Sequence, residues 1–274
     1  MSVIEAIVLG IVQGLTEFLP ISSTGHLRIV PSFLGWEDPG AAFTAVVQLG
    51  TMAAVLLYFR EDLIRIGRAW LDSVRERGRR RDLDARLGWY IVLGTIPIGI
   101  FGVLFKDQIE NGARDLYLIS IALIVFGLVL LAAEEVGRKD RPIEDINRRD
   151  GIVIGLFQAL ALVPGVSRSG ATISAGLFRG FDRPSAARYS FLLSVPAVVL
   201  SGLFELKSIA DGSEHVHTST GSLIISTALA FVVGYWSIAF LLRYVARHST
   251  MVFVVYRVGL GVLVLALVST GAIH

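Results

Sequence analysis

Reactive side chains lie inside apolar sequence near the start of this chain, over residues 13–26. The stretch holds the carboxylate of Glu17, three consecutive hydroxyl side chains and the imidazole of His26. The hydroxyls belong to Ser22, Ser23 and Thr24. Because polar groups are costly at membrane depth, they indicate a functional site. A helix that begins near Ser23 would direct its free N–H groups and its dipole toward a phosphate.

A histidine one helical turn after a hydroxyl can take several roles in phosphate chemistry. His26 can activate Ser23 as a base, attack phosphorus itself, or activate a water molecule, and the residues leave all three routes open. We favour attack by Ser23 with His26 as its base. Glu17 can hold the other imidazole nitrogen or bind a divalent cation. The structural alternatives are a packed imidazole and serines that cap a helix.

A second polar stretch, residues 164–172, places an arginine between serines in apolar sequence. The Arg168 guanidinium can grip a phosphate through two parallel hydrogen bonds. If Arg168 is buried it needs an anion, and Glu17 is available; the alternative reading is a purely structural ion pair. Gln48 either reaches this site or bonds across helices. The residues expected to bind phosphate oxygens are Ser22, Thr24, Ser167, Ser169 and Thr172.

The two stretches belong to halves of the chain that resemble each other at one fixed offset. Residues 10–13 match residues 155–158, and residues 22–25 match residues 167–170, both 145 positions apart. The same offset continues through about fifty positions. We therefore predict a duplicated unit, with repeat 1 at about 1–136 and repeat 2 at about 151–271.

The composition indicates a polytopic membrane protein of the all-α class. The hydrophobic fraction is 54% and the mean hydropathy is +0.67. Two segments, 1–34 and 151–180, are interrupted at Pro20 and at Pro164 and predict re-entrant helical hairpins, although a single kinked span would also fit the first. The chain has no cysteine, which excludes disulfides, and we expect no removable signal peptide. The six predicted transmembrane helices are 41–59, 88–105, 116–136, 186–206, 222–242 and 250–271.

The distribution of basic residues predicts how the chain is oriented. We predict loops over 60–86, 137–150 and 243–249, which hold nine, five and two Lys or Arg residues, and we place these loops in the cytoplasm. Segments 28–40, 106–115 and 207–221 hold one, two and one, so we place them outside. The two repeats then run in opposite directions, as in transporters whose broken helices meet near the midplane. Such clustering of charge reflects topology rather than nucleic-acid binding.

Both stretches resemble the signatures of a known family. Residues 13–26 read Gln-Gly-Leu-Thr-Glu-Phe-Leu-Pro-Ile-Ser-Ser-Thr-Gly-His, and residues 164–172 read Pro-Gly-Val-Ser-Arg-Ser-Gly-Ala-Thr. They are similar to the motifs of the bacterial undecaprenyl-diphosphate phosphatases, also called the bacitracin-resistance family. The resemblance extends over essentially the whole chain, including its length and its number of spans.

The resemblance implies hydrolysis of undecaprenyl diphosphate to the monophosphate, which recycles the lipid carrier of cell-wall synthesis. It implies dependence on a divalent cation such as Mg²⁺ or Ca²⁺. Together with the predicted orientation, we expect a multi-pass protein of the bacterial plasma membrane whose active site faces outside. It also implies that Glu17, Ser23, His26 and Arg168 occupy catalytic positions. Many relatives carry glutamate where this chain has Gln13, so Glu17 is the stronger metal ligand.

Two other functions fit the sequence less well. An inverted repeat is also a transporter architecture, so the chain could move a phosphorylated polyprenyl lipid instead of hydrolysing it. An acid-phosphatase-type lipid phosphatase would need a second histidine in a broken segment, and the sequence has none there. The sequence leaves open whether the chain forms a homodimer.

Overall fold

A computed structural model describes residues 1–105, 108, 114–210 and 218–273 of the chain. The segments 106–115 and 207–221, which we predicted to lie outside, fall partly beyond the described residues. The all-α class is confirmed for the described part, which holds one isolated bridge, between Arg141 and Phe181, and no strand. Its helices are α1 (Val3–Phe18), α2 (Ser23–Leu34), α3 (Gly40–Tyr58), α4 (Arg60–Arg75), α5 (Leu83–Leu104), α6 (Leu116–Val136), α7 (Arg148–Ala159), α8 (Arg168–Phe178), α9 (Arg183–Ala210), α10 (Thr220–Val245) and α11 (Met251–Ser269).

The two predicted helix breaks are present. The first lies between α1 and α2 and contains Pro20. The second lies between α7 and α8, where a 3-10 turn over Leu160–Leu162 precedes Pro164. Each break ends at a serine in a left-handed conformation, with φ of 75° at Ser22 and 70° at Ser167. This conformation is uncommon for a residue with a side chain, so each serine marks a sharply turned entry into the next helix.

Among the described residues, four helices are long and apolar enough to cross a membrane, namely α5, α6, α10 and α11. A fifth candidate is the pair formed by α3 and α4, which meet at a bend of 73°. The predicted span 186–206 lies within α9, and Pro196 is accommodated inside that helix. The described residues thus give a polytopic membrane protein with four or five apolar span candidates.

The charged segment 60–86 is largely helical, which corrects its assignment as a loop. Arg60–Arg75 form α4, and Arg77–Arg81 form a 3-10 helix. The reason is an apolar stripe at helical spacing that includes Ile66 and Trp70. Ile66 is buried, and Trp70 packs so closely on α5 that a Cβ at Gly88 would lie 2.7 Å from the Trp70 Cβ.

The halves of the chain exchange partners across the centre of the bundle. Helix α1 packs against α10, and its counterpart α7 packs against α5. Similarly, α3 packs against α10 while α9 packs against α5. These contacts are close because glycines line them: a Cβ at Gly155 of α7 would lie 2.4 Å from the Gly94 Cα of α5. Each broken segment is therefore held by a helix of the other half.

A buried ionic cluster joins the ends of the second broken segment. The Asp150 side chain is fully buried and accepts hydrogen bonds from Arg141 Nη2 at 2.8 Å and Arg179 Nε at 2.7 Å. Asp150 also completes a capping box with Asn147 at the start of α7. Burial opposes its ionisation, but the hydrogen bonds outweigh burial and hold the pKa of Asp150 below its ordinary value.

We predict that Asp150→Asn lowers the free energy of unfolding by about 3 kcal/mol, because it leaves two arginines facing a neutral partner. A carboxyl whose pKa is depressed by folding stabilises the protein above its ordinary pKa, and this contribution is lost as the pH falls through the lower, folded value. The difference in thermal midpoint between wild type and variant should thus be constant near neutral pH and shrink below pH ~4.

Asp140→Asn is the matched control, because Asp140 is exposed and faces Arg138 at 3.5 Å across solvent. It should leave the midpoint unchanged at every pH. A difference for Asp150→Asn that does not depend on pH would show that the carboxylate charge is not what stabilises this cluster.

Candidate active site

Glu17 lies at the centre of a compact polar cluster that joins the two broken segments. Its Oε1 is ion-paired with Arg168 Nη2. Its Oε2 accepts a hydrogen bond from Ser23 Oγ at 2.6 Å and another from Gln13 Nε2 at 3.1 Å. The Glu17 and Arg168 side chains are only 7% and 16% exposed. The predicted pairing of Glu17 with Arg168 is confirmed, and one carboxylate connects α1, α2 and α8.

Arg168 retains hydrogen-bonding capacity for a ligand. Only its Nη2 bonds to the described part of the chain, through Glu17. The remaining guanidinium N–H groups point in a fixed planar fork that matches two phosphate oxygens. The cluster can therefore bind a phosphoryl group beside Ser23 without first breaking the scaffold around it.

Two helix N-termini converge on this cluster, and each is capped by the left-handed serine before it. Ser22 Oγ accepts from the Gly25 N–H at 3.4 Å, and Ser167 Oγ accepts from the Gly170 N–H at 3.1 Å. The predicted phosphate ligands Ser22 and Ser167 thus serve as N-caps in this structure. Ser169 Oγ donates to the Leu19 carbonyl at 3.1 Å and ties α8 to the first break.

The other two predicted phosphate ligands differ in their surroundings. Thr24 is exposed and shares a hydrogen bond with Ser22 at 3.3 Å, so it is accessible to a ligand. Thr172 is fully buried, donates to the Arg168 carbonyl at 2.8 Å and pairs with Ser190 of α9 at 2.6 Å. Because one turn of helix separates Thr172 from the N-terminus of α8, it supports the Arg168 backbone rather than facing the cluster.

The His26 ring forms no hydrogen bond to Ser23 or Glu17 in the described residues, which corrects the predicted arrangement. Its Nδ1 lies 2.7 Å from the Ser22 carbonyl oxygen, which can only accept, so this nitrogen carries the proton. In the neutral ring, Nε2 then accepts from the Tyr256 hydroxyl at 2.7 Å. The imidazole is nearly parallel to the Tyr256 ring, with 5.6 Å between the two ring centroids. Glu17, not His26, is the hydrogen-bond partner of the Ser23 hydroxyl.

The oxygen atoms around Glu17 fit a hard cation that also binds phosphate. Gln13 Oε1 is buried and has no hydrogen-bond partner in the described part of the chain. Together with Glu17 and Ser23 it supplies oxygen ligands, the type that Mg²⁺ and Ca²⁺ prefer. The described residues contain no group of three or more His, Cys, Asp or Glu side chains that could form a complete metal site. A cation here would complete its shell with phosphate and water.

Gln48 stays at the edge of this arrangement. It is half-buried on α3, one turn before Thr51. Thr51 Oγ1 lies 3.5 Å from Gln13 Nε2 and donates to the Gln48 carbonyl at 2.9 Å. Gln48 therefore acts on the cluster through its backbone.

Sequence reasoning missed two neighbouring residues of α11, Tyr256 and Arg257. Tyr256 bonds His26, and Arg257 is fully buried among backbone carbonyls of both breaks. The only signal in the sequence is a single arginine in an otherwise apolar helix, a pattern that also fits a residue that merely snorkels or pairs. Its partners could not be found locally because they lie more than ninety residues away.

The fold and the site define a polytopic helical membrane protein with a polar site between two helix breaks. The side chains of this site are of the types that bind phosphate groups. Comparison with known proteins agrees: residues 6–263 match the family described as "Bacitracin resistance protein BacA", and the chain belongs to that family. It is 55% identical over 273 residues to a protein of Thermobifida fusca named undecaprenyl-diphosphatase, covering 100% of this chain and 92% of the relative.

Relatives in other organisms carry the same name. A Nocardioides undecaprenyl-diphosphatase is 55% identical over 270 residues, which is 98% of each chain. A Mycobacterium undecaprenyl-diphosphatase is 55% identical over 274 residues, which is 100% of this chain and 99% of the relative. The similarity therefore covers both broken segments and the helices that hold them.

Proposed function

We propose that this chain hydrolyses undecaprenyl diphosphate to undecaprenyl phosphate and inorganic phosphate, and thereby confers resistance to bacitracin. The observation that carries the proposal is the contact of Glu17 with both Ser23 and Arg168. This contact places a nucleophile (Ser23), a base (Glu17) and a phosphate-binding guanidinium (Arg168) in one cluster. The chain that carries this cluster is 55% identical to a protein named undecaprenyl-diphosphatase.

The geometry supports a two-step reaction through Ser23. Ser23 Oγ attacks the terminal phosphorus while Glu17 Oε2, 2.6 Å away, takes the hydroxyl proton. The bond from this phosphorus to the bridging oxygen breaks, and undecaprenyl phosphate leaves. Water then hydrolyses the phosphoserine and releases inorganic phosphate. Arg168 neutralises the transferring group, whose charge is spread over three oxygens.

A divalent cation bound through Glu17 and Gln13 would neutralise phosphate charge in this site. The role of the protein is to hold those two oxygens near Ser23, since Gln13 Nε2 is anchored on Glu17 and on Thr51. We propose Mg²⁺ or Ca²⁺ because all three available donors are oxygen atoms.

The membrane arrangement belongs to the same proposal: six spans, two re-entrant hairpins and an inverted repeat, in the bacterial plasma membrane with the site facing outside. Three observations support it. The two breaks lie 145 residues apart, which is the offset found in the sequence. Both breaks end in a serine with positive φ. Helix α1 of the first half packs on α10 of the second, and α7 of the second half packs on α5 of the first. The basic segments, which we place in the cytoplasm, set the orientation.

Cysteine labelling tests the proposed topology directly, because the chain has no cysteine of its own. Gly78→Cys lies on the arginine-rich 3-10 helix, where a side chain meets nothing within 4 Å. We expect an impermeant thiol reagent to label it only after the cells are opened. Glu37→Cys, in the exposed segment after α2, should be labelled in intact cells. Labelling of Gly78→Cys in intact cells would contradict the inverted orientation.

Release of inorganic phosphate from undecaprenyl diphosphate by the purified protein tests the function, with and without a chelator. We expect turnover that the chelator abolishes and that added Mg²⁺ or Ca²⁺ restores. Movement of the intact lipid across vesicle membranes without phosphate release would instead establish the transporter function.

Trapping the reaction tests which atom attacks. With substrate labelled on its terminal phosphate, rapid acid quenching should leave acid-stable label on the protein, because a phosphoserine ester survives acid. The label should be absent in Ser23→Ala and retained in His26→Ala. A parallel alkaline quench preserves phosphohistidine, so a base-stable, acid-labile label that disappears only in His26→Ala would reverse this assignment. The absence of protein label after both quenches would favour direct attack by water.

A further inference from the structure

Arg257 is a buried arginine in the middle of α11. Its side chain is 0% exposed, although α11 is one of the apolar span candidates. No carboxylate in the described part of the chain forms an ion pair with it. An unpaired buried charge is costly, so its retention indicates a function.

Within the described residues, the hydrogen bonds of Arg257 go to backbone carbonyls, and three of the four carbonyls belong to the two breaks. Nη1 donates to the Pro20 oxygen at 3.1 Å, and Nη2 donates to the oxygens of Gly165 at 3.0 Å and Val166 at 2.8 Å. Nε reaches the Leu123 oxygen of α6 at 3.4 Å. One guanidinium therefore joins the turns that precede α2 and α8.

The position of these carbonyls connects Arg257 to the site. Pro20 lies two residues before Ser22, and Val166 lies directly before Ser167, so the bonded carbonyls adjoin both N-caps. The space is tight, since a Cβ at Gly170 would lie 2.6 Å from Arg257 Nη1. A displacement of the guanidinium would move the N-termini of α2 and α8 relative to each other.

We propose that Arg257 is a positioning residue that fixes the two breaks against each other, so that Ser23 on one and Arg168 on the other address the same phosphoryl group. This inference rests on the proposed phosphatase function. The effect acts through geometry: an error of about 1 Å in a site of this kind can cost ~10²-fold in rate.

Kinetics of two variants test the proposal with purified protein and undecaprenyl diphosphate. Arg257→Gln should lower kcat by ~10²-fold with little change in KM. Arg257→Lys should also lose most of the turnover, because one ammonium cannot span carbonyls of both breaks. Full turnover of folded Arg257→Gln would overturn the positioning role. Full turnover of Arg257→Lys with loss in Arg257→Gln would also overturn it, because it would show that only the charge matters.

Arg183→Gln is the matched control. Arg183 is a partly buried arginine that bonds Glu134 with Nε at 2.8 Å, at the other end of α6. It should lower thermal stability without lowering kcat.

A double-mutant cycle then separates positioning from general stability. If Arg257 acts through Arg168, the losses of Arg257→Gln and Arg168→Lys should combine to less than their product, whereas independent effects would multiply and contradict the proposal.

A distance measurement provides a readout that does not depend on turnover. Spin labels can be attached at Leu34→Cys and Phe178→Cys, at the C-terminal ends of α2 and α8. The Leu34 and Phe178 residues are 53% and 41% exposed. We expect the distance distribution to broaden in Arg257→Gln and to stay narrow in Arg183→Gln. If Arg257→Gln does not fold, Gly170→Ala can replace it, because the added Cβ would displace the Arg257 guanidinium. Gly170→Ala should broaden the distance distribution in the same way. An unchanged distribution would reject the proposal, whereas a wild type without phosphate release would reject the phosphatase function only.

Discussion

Arg168→Lys should lose about 10²–10³ in kcat, since this is the typical cost of removing one preorganised donor to developing charge. Arg168 is held by Glu17 through one nitrogen, which leaves the rest of its planar fork for phosphate oxygens. An ammonium is a point donor and cannot bind a second oxygen in that plane while it keeps the bond to Glu17. Steady-state phosphate release from undecaprenyl diphosphate measures the effect.

Arg179→Lys provides the control for this substitution. Arg179 follows the last residue of the same helix, α8, and its Nε bonds Asp150 far from Ser23. We expect it to keep wild-type turnover, although the ionic cluster around Asp150 is weakened. Near-full turnover of Arg168→Lys would mean that Arg168 only ties the two broken segments together.

The helix breaks could be predicted because their causes are local. Pro20 cannot continue a helix, and the Pro164–Gly165 pair has the same effect in the second half. The pairing of Glu17 with Arg168 followed from a longer argument: a buried arginine needs an anion, and the repeat offered one. Few carboxylates lie within apolar sequence, so charge and context together identified Glu17 as the partner of Arg168.

The orientation of side chains within the site could not be predicted. Spacing along a helix places His26 near Ser23, yet its ring turns to Tyr256, which comes from a helix 230 residues further along the chain. In the same way, nothing near Arg257 in the sequence reveals the carbonyls it binds. Both contacts depend on how α11 packs against the two breaks, and residues far apart in sequence decide that packing.

Glu17→Gln should lower kcat by about 10²–10⁴, the usual contribution of a general base. In the structure Glu17 Oε2 is the acceptor of the Ser23 hydroxyl, and an amide oxygen at that position can accept the hydrogen bond but cannot take the proton. A neutral amide also binds a hard cation poorly, so activation by Mg²⁺ or Ca²⁺ should weaken as well. Phosphate release as a function of cation concentration measures both effects.

Gln13→Glu is the informative counterpart, because it changes charge at a neighbouring position in the opposite direction. Gln13 Nε2 donates to Glu17 Oε2 at 3.1 Å, and a glutamate would place a second carboxylate there. Two adjacent carboxylates repel each other unless a cation lies between them. We therefore expect near-normal turnover at saturating cation and a steeper loss with chelator. If Gln13→Glu and Glu17→Gln lose turnover equally at saturating cation, the shape of this pair matters more than its charge, and Glu17 is not the base.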